Sequence, residues 1–282
     1  MADNIISQIL YRKPPDTLFH YTSATGLFGV LESGNIWATK IQYLNDNSEL
    51  QLAFDYIRAE IRRQRKGVGK TRDKDFTDML FTLDTTANTN VGVASFTEMG
   101  DQLSQWRGYC EIGKGYSIGF NGAKLDKVAT KNKCLLAPCI YEEDIHLRLV
   151  KVLIDNYPLL KEQSDEKKQI PNYPSFITGF ATEALIIAPL IKAKGFQEER
   201  EWRFITDTLG YGDAKFRQGN HSIIPYWEFD LNIMNTLKAI IIGPTPEPFL
   251  SIRALEGLLI KKKFQLFMKT TVSQSKIPFR KI

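Results

Sequence analysis

The sequence predicts an α+β fold built as one domain over residues 1–282, with a helical insertion at about 144–194, and three observations support that prediction. Strand-like and helix-like segments mix without the regular alternation that a doubly wound parallel sheet requires. The 282 residues are 43% hydrophobic and 24% charged, ordinary for a globular chain and enough to bury a sizeable core. No internal repeat and no clean linker divides the chain.

The elements follow from residue pattern. Thr17 to Phe19 read as a short strand, and Ser23 is placed to cap a helix in which Leu27, Val30 and Leu31 recur at helical spacing until Gly34 stops it. "NIWATKI" is a strand. "YLNDNSEL" turns the chain, with Asp46 and Glu49 at capping-box spacing, into a helix that lines Leu50, Phe54, Ile57 and Ile61 along one face. Residues 62–75, "RRQRKGVGKTRDKD", read as a solvated basic loop, with a nucleic-acid contact through Arg62, Arg63, Arg65, Lys66, Lys70 and Arg72 as the alternative. "VGVASF" and "GYSIGF" are strands around a short helix over "DQLSQWRGYC", and "CLLAPCIYEE" is a third strand. Helices over 144–163 and 175–193 flank the polar "EQSDEKKQIPNYP". The last third returns to strands in "REWRFIT", "SIIPYWEF" and "LKAIIIG", then a helix over "FLSIRALEGLLIKKK" and a strand over "FQLFMKTTV".

Several function classes are excluded or weakened. The three cysteines, Cys110, Cys134 and Cys139, are odd in number and sparse, which fits a reducing compartment and no disulfide framework. With His146 nearby they still lack the paired knuckles of a structural zinc site, so no metal is expected. "GVGKT" has Gln64 where a phosphate-binding loop needs its first glycine, and a charged helix where it needs a strand. "MADNIISQIL" is not a leader peptide, and no apolar run is long enough to span a membrane, so a cytoplasmic protein is expected. The net charge of +5 is compatible with phosphate-bearing partners without requiring them.

Two segments could carry chemistry. Alternation along "EEREWRFI" puts Glu199, Glu201 and Arg203 on one strand face and the core residues Trp202 and Phe204 on the other, so the charged face is either open to solvent or the wall of a cleft. "SFTEMGDQLSQWRGYCEIGKGYSIGF" gathers Trp106, Arg107, Tyr109 and Tyr116 with Ser95 and Thr97. Rings and an arginine suit a flat, phosphate-bearing ligand, although Trp106 and Tyr109 at helical spacing, taken alone, read more readily as a buried stripe.

"FHYTSATGLFGVLESGNIW", "YLNDNSE", "SFTE", "QWRGY", "GYSIGF", "EREWR" and "SKIPFR", in that order, resemble the bacterial domain-of-unknown-function 2971 family. "LFHYTSATGLFGVLESG" also resembles the first motif of the ADP-ribosyltransferases. That second resemblance implies mixed sheets around a cleft and NAD as substrate. In that superfamily a histidine holds a ribose hydroxyl, an aromatic packs on nicotinamide and a glutamate on a later strand grips the ribose. His20 and Glu201 would take the first and last roles, and Tyr43 or Tyr109 the second. Tyr21, Thr22, Ser95, Trp106, Arg107, Glu199 and Arg203 would complete the binding site. The arginine-specific members, whose Ser-x-Ser/Thr and Glu-x-Glu elements "SFT" and "ERE" resemble, begin with arginine where this chain has His20, so the histidine type is preferred. The implied activity is transfer of ADP-ribose to a nucleic acid or protein acceptor, or hydrolysis of NAD, in a toxin or phage-defence setting with room for a regulatory partner protein. The alternative is a non-catalytic nucleotide- or nucleic-acid-binding module; a nuclease with a metal on Glu199 and Glu201 lacks an accompanying Asp/His set.

Overall fold

A computed structural model of the chain describes residues 8–44, 48–86, 88–111, 113–158, 179–219, 222–262, 264 and 270–278. The described residues form a mixed α+β fold around one ten-stranded sheet. Its strands are β1 (Thr17–Ser23), β2 (Asn35–Lys40), β3 (Val91–Thr97), β4 (Gly115–Asn121), β5 (Leu135–Pro138), β6 (Glu201–Thr208), β7 (Lys215–Gln218), β8 (Ile223–Asp230), β9 (Leu237–Ile242) and β10 (Thr271–Gln274). The main path runs β10-β9-β4-β1-β3-β2-β8-β7, while β6 pairs with β3 and β5. All pairings are antiparallel except β9 with β10.

The branch at β3 positions the site. One edge of β3 is fully paired to β6, from Val91↔Thr208 to Thr97↔Glu201. The other edge is shared: β1 meets it at Phe19↔Thr97, and β2 meets it at Thr39↔Val93 and Lys40↔Gly92. Between these contacts β1 and β2 part, and the backbone of Ala94, Ser95 and Phe96 faces the gap.

Helices cover both faces. On one face lie α1 (Ala24–Ser33), α5 (Gly122–Lys131) and α9 (Pro248–Lys261), whose Leu27, Leu125 and Leu255 pack on Leu18, Ile36, Phe96, Trp202 and Phe204. On the other, α2 (Ser48–Gln64), α3 (Lys70–Thr86), α6 (Glu143–Asp155) and α7 (Phe180–Ile187) enclose a second core around Phe54, Ile57, Phe76, Leu153 and Phe180, seated on Val93, Ala137 and Ile205. Two further short helices are α4 (Leu103–Tyr109) and α8 (Ile233–Thr236).

Local signals explain much of this. Ser23 Oγ accepts from Gly26 N at 3.2 Å, and Gly34 closes α1 at φ 72°, a conformation open to glycine. The capping box of Asp46 and Glu49 lies outside the described residues, as do 159–178, which take in the end of the first predicted insertion helix and the start of the second, and most of the predicted strand over 264–272. The stretch 62–75 is not a loop throughout. It contains the end of α2 and the start of α3, tied by Arg65 Nε to Asp73 Oδ1 at 2.6 Å and by Arg72 lying over the Phe76 ring. Helix α5 and strand β7 have no counterpart in the sequence reading. Helix α5 starts where Asn121 Oδ1 accepts from Lys124 N at 3.0 Å.

Gly122 sets how the chain enters β1. A Cβ there would sit 1.9 Å from the carbonyl oxygen of Pro15, a backbone atom that cannot swing away. Gly122→Ala is expected to cost about 2 kcal/mol through backbone displacement, read as a lower melting temperature. An unchanged Tm would show that the segment before β1 has slack.

Candidate functional site

Residues paired across antiparallel strands share a face, and faces alternate along each strand. By register, Tyr21, Thr39, Ser95, Thr97, Glu201 and Arg203 therefore stand on one face, and His20, Phe96, Trp202 and Phe204 on the other. Over the first face, beside the gap between β1 and β2, is a cavity of about 380 Å³. His20 and Glu201 both line it, with Tyr21, Tyr43, Ser95, Tyr109, Glu199 and Arg203. His20 reaches it through the gap.

The imidazole is held in one tautomer. Its Nδ1 lies 2.9 Å from Ser95 O, and since a carbonyl only accepts, Nδ1 carries the proton and donates it. Desolvation by burial lowers the His20 pKa against the smaller opposing effect of that hydrogen bond, which favours the neutral ring. Nε2 is left with a lone pair. The ring stands 5.8 Å from that of Phe96, which fixes its tilt.

Strand β6 opens with a buried ionic cluster. Glu201 is 4% exposed, Arg203 2% and Lys192 3%. Arg203 donates to Glu201 through Nε at 2.8 Å and NH2 at 3.0 Å, and through NH1 to Pro189 O at 2.6 Å. Lys192 Nζ donates to Glu201 Oε2 and Glu199 Oε2, each at 2.6 Å. Burial alone would raise the Glu201 pKa, but Arg203 and Lys192 outweigh it and hold the carboxyl at about 2. Tyr141 supports the strand start by accepting from Glu201 N at 2.8 Å.

Glu199 is not a strand residue. It ends a 3₁₀ turn, Lys194–Glu199, and Arg200 follows at φ 43° before β6 begins. The Lys192 ammonium, rather than strand alternation, brings the two carboxylates together. The charged face of β6 is accordingly buried and not a solvated ion-paired surface. Of the two candidate aromatics, both line the cavity, and Tyr109 is the one near the acids: burial first, then Glu199 and Glu201, push its hydroxyl up to about 12.

Thr22, Trp106 and Arg107 do not line this cavity. Thr22 packs against Gly26 at the start of α1, and Arg107 is exposed on α4, in a separate surface hollow with Gln102 and Glu198. Trp106 is a buried tie. Its Nε1 donates to Asp101 Oδ1 at 2.8 Å, its ring meets Tyr21 edge-on at 4.5 Å, and the same carboxylate accepts from Ser275 Oγ at 2.5 Å and Lys276 N at 2.7 Å. Thus "FHY", "QWRGY" and "SKIP" meet around one aspartate for a structural reason.

Two charged residues of the cavity have no role in the sequence reading, Lys192 and Arg217. Lys192 left a faint signal, a lysine closing the apolar run "ALIIAPLI". Arg217 left none, because "KFRQ" is a short, polar edge strand. Among the described residues no group of three His, Cys, Asp or Glu side chains could hold a metal ion. Cys110, Cys134 and Cys139 are free thiols. No helix among the described residues is long and apolar enough to cross a membrane.

The described chain is thus a mixed α+β protein with a charged, aromatic-edged cleft on a branched sheet. Residues 105–204 match the family model described as Protein of unknown function (DUF2971), which bears out the resemblance to that family. The matched stretch holds Lys192, Glu199, Glu201 and Arg203, whereas His20 and Arg217 lie outside it. Neither the curated proteins nor the solved structures gave a match to the chain.

Proposed function

We propose that the protein is an ADP-ribosyltransferase-like enzyme that takes NAD as substrate and passes ADP-ribose to a macromolecular acceptor or to water. The observation that carries this reading is that His20 and Glu201, remote in sequence, line one cavity beside the split in the sheet. Phe19, Thr97 and Glu201 form one row across β1, β3 and β6, so the His20 and Glu201 backbones are two strand spacings apart, about 10 Å.

The chemistry asks little more of the protein. The bond between ribose C1 and the nicotinamide nitrogen breaks, nicotinamide leaves with the electron pair, and the ribose passes through an oxocarbenium-like state. An acceptor oxygen then bonds to C1 and passes its proton to water. A fixed anion near the ribose stabilises the developing positive charge most when that charge is greatest. Glu201 is ionised at neutral pH and clamped by Arg203 and Lys192, so it needs no reorganisation. Neutral His20 offers Nε2 to a ribose hydroxyl while Ser95 holds the other nitrogen. The same clamp gives the non-catalytic reading its foothold, because most of the Glu201 acceptor capacity is already used.

Calorimetry with NAD and chromatographic assay of nicotinamide in cell extract test the reading. Binding with nicotinamide release is expected, and His20→Ala should weaken NAD binding about tenfold, the worth of one hydrogen bond. If the wild type neither binds NAD nor releases nicotinamide, it is not this enzyme.

A further inference from the structure

The charges around the cavity fall into two sets. Lys192 and Arg203 are matched by Glu199 and Glu201, and His20 is neutral. Arg217 stands apart from them. It projects from β7 on the face shared by Thr39, Ser95 and Glu201, since Lys215 pairs with Tyr226 and Tyr226 with Thr39. Its NH2 donates to Thr39 Oγ1 at 3.3 Å, and its Nε is buried without a hydrogen-bond partner. Among the described residues no carboxylate pairs with it. A guanidinium donor taken from water and given no acceptor costs about 1–3 kcal/mol, so an acceptor brought by a ligand would recover that loss.

Beside Arg217 the cavity wall carries a fixed ring. Trp37 is stacked on Tyr226 with centroids 4.3 Å apart and planes at 29°, yet it remains 44% exposed. One ring face is occupied by Tyr226 and the indole cannot turn freely. A planar fork with an open donor next to a held aromatic surface is the chemistry that recognises a phosphate attached to a nucleoside.

We propose that Arg217 and Trp37 form the subsite for the adenosine diphosphate end of the substrate, with the Arg217 Nε and terminal nitrogens on the diphosphate. This deepens the NAD reading and rests on it. From β7 to β6 the sheet crosses β8, β2 and β3, four spacings or roughly 19 Å of backbone, which sets Arg217 at the opposite end of the cleft from Glu201. The glycosidic bond and the diphosphate would then be held at separate places on one face. Arg203, whose guanidinium is committed to Glu201 and Pro189 O, and Arg107, outside the cavity, are not the phosphate ligands.

The test is calorimetric titration of the full chain with NAD, ADP and nicotinamide riboside, for wild type, Arg217→Met and Arg217→Lys, with melting temperatures as the folding control. Arg217→Met is expected to weaken NAD and ADP 10- to 100-fold and to leave nicotinamide riboside, which has no phosphate, unchanged. Arg217→Lys should fall between, since an ammonium keeps the charge without the fork. A folded Arg217→Met protein that binds ADP within twofold of wild type overturns the subsite. If that variant also cleaves NAD normally, the enzyme reading survives without the subsite. Should wild type bind ADP through Arg217 but neither bind nor cleave NAD, the subsite stands and the enzyme reading falls. No binding of either nucleotide to wild type removes both.

Discussion

Glu201→Gln is expected to reduce nicotinamide release by about 10²–10³, the usual effect of removing one preorganised electrostatic group from a reacting centre. It should not leave the fold untouched. Glu201 is the shared partner of Lys192 and Arg203, all three nearly inaccessible, and glutamine takes the charge from the one carboxylate that both buried cations meet. Removing one partner from such a pair costs about 3–5 kcal/mol, a Tm shift on the order of 10 °C for a chain of this size. Activity must therefore be compared well below the variant's melting temperature. The pH dependence separates the two effects. With the folded pKa at about 2 against an ordinary 4.5, the stability Glu201 contributes is present above about pH 4.5 and lost as pH falls toward 2. His20 acts in the same direction at higher pH: its folded value lies below 6.5, so its contribution declines as pH drops from there. Glu201→Gln should keep the His20 window and lose the acid one. A variant that is destabilised as expected yet releases nicotinamide at the wild-type rate would make Glu201 a structural residue and leave the proposed chemistry without its anion.

Periodicity made the core of this fold legible. The stripe Leu50, Phe54, Ile57 and Ile61 and the alternation that buries Trp202 and Phe204 are read from spacing, and both are buried as spacing demands. Pairing partners carry no such mark. Nothing in "TLFHYTS" or "NIWATK" says that the two strands will share one edge of β3 and part along it, so alternation along "EEREWRFI" could offer a cleft wall but not say what lies opposite it. The misplacements have physical causes. Trp106 reads as a ligand platform because ring and arginine adjoin in sequence, but Asp101 supplies a partner for its indole N–H and turns it into the core. The basic stretch 62–75 reads as a loop because its cations have no visible partners in sequence, whereas Arg63 finds Glu60 and Arg65 finds Asp73 once helices form. Lys192 and Arg217 come from a 3₁₀-flanked connection and a four-residue edge strand, where no period exists to reveal which way a side chain points.

Lys192→Met is expected to destabilise the protein by about 3–5 kcal/mol, as much as loss of Glu201, although the new side chain fills a similar volume. The ammonium is the bridge between Glu199 Oε2 and Glu201 Oε2, and without it a partly buried carboxylate and a buried one are left close together with the cation between them gone. Such a pair relieves itself by taking up a proton, which raises the pKa of one acid. The sign of the pH response then reverses. Wild type loses stability as pH falls, whereas Lys192→Met should gain it over the range in which the folded state binds that proton. Adding Glu199→Gln removes the surplus charge, so the double variant should be more stable than Lys192→Met alone, with a coupling of about 1–3 kcal/mol in a urea-denaturation cycle. It should also recover the wild-type direction of pH dependence. A packing role for Lys192 would predict neither the reversal nor the rescue. If Lys192→Met has the same pH slope as wild type and Glu199→Gln merely adds further loss, the cluster is not held together by charge balance, and the clamped anion at Glu201 loses its basis.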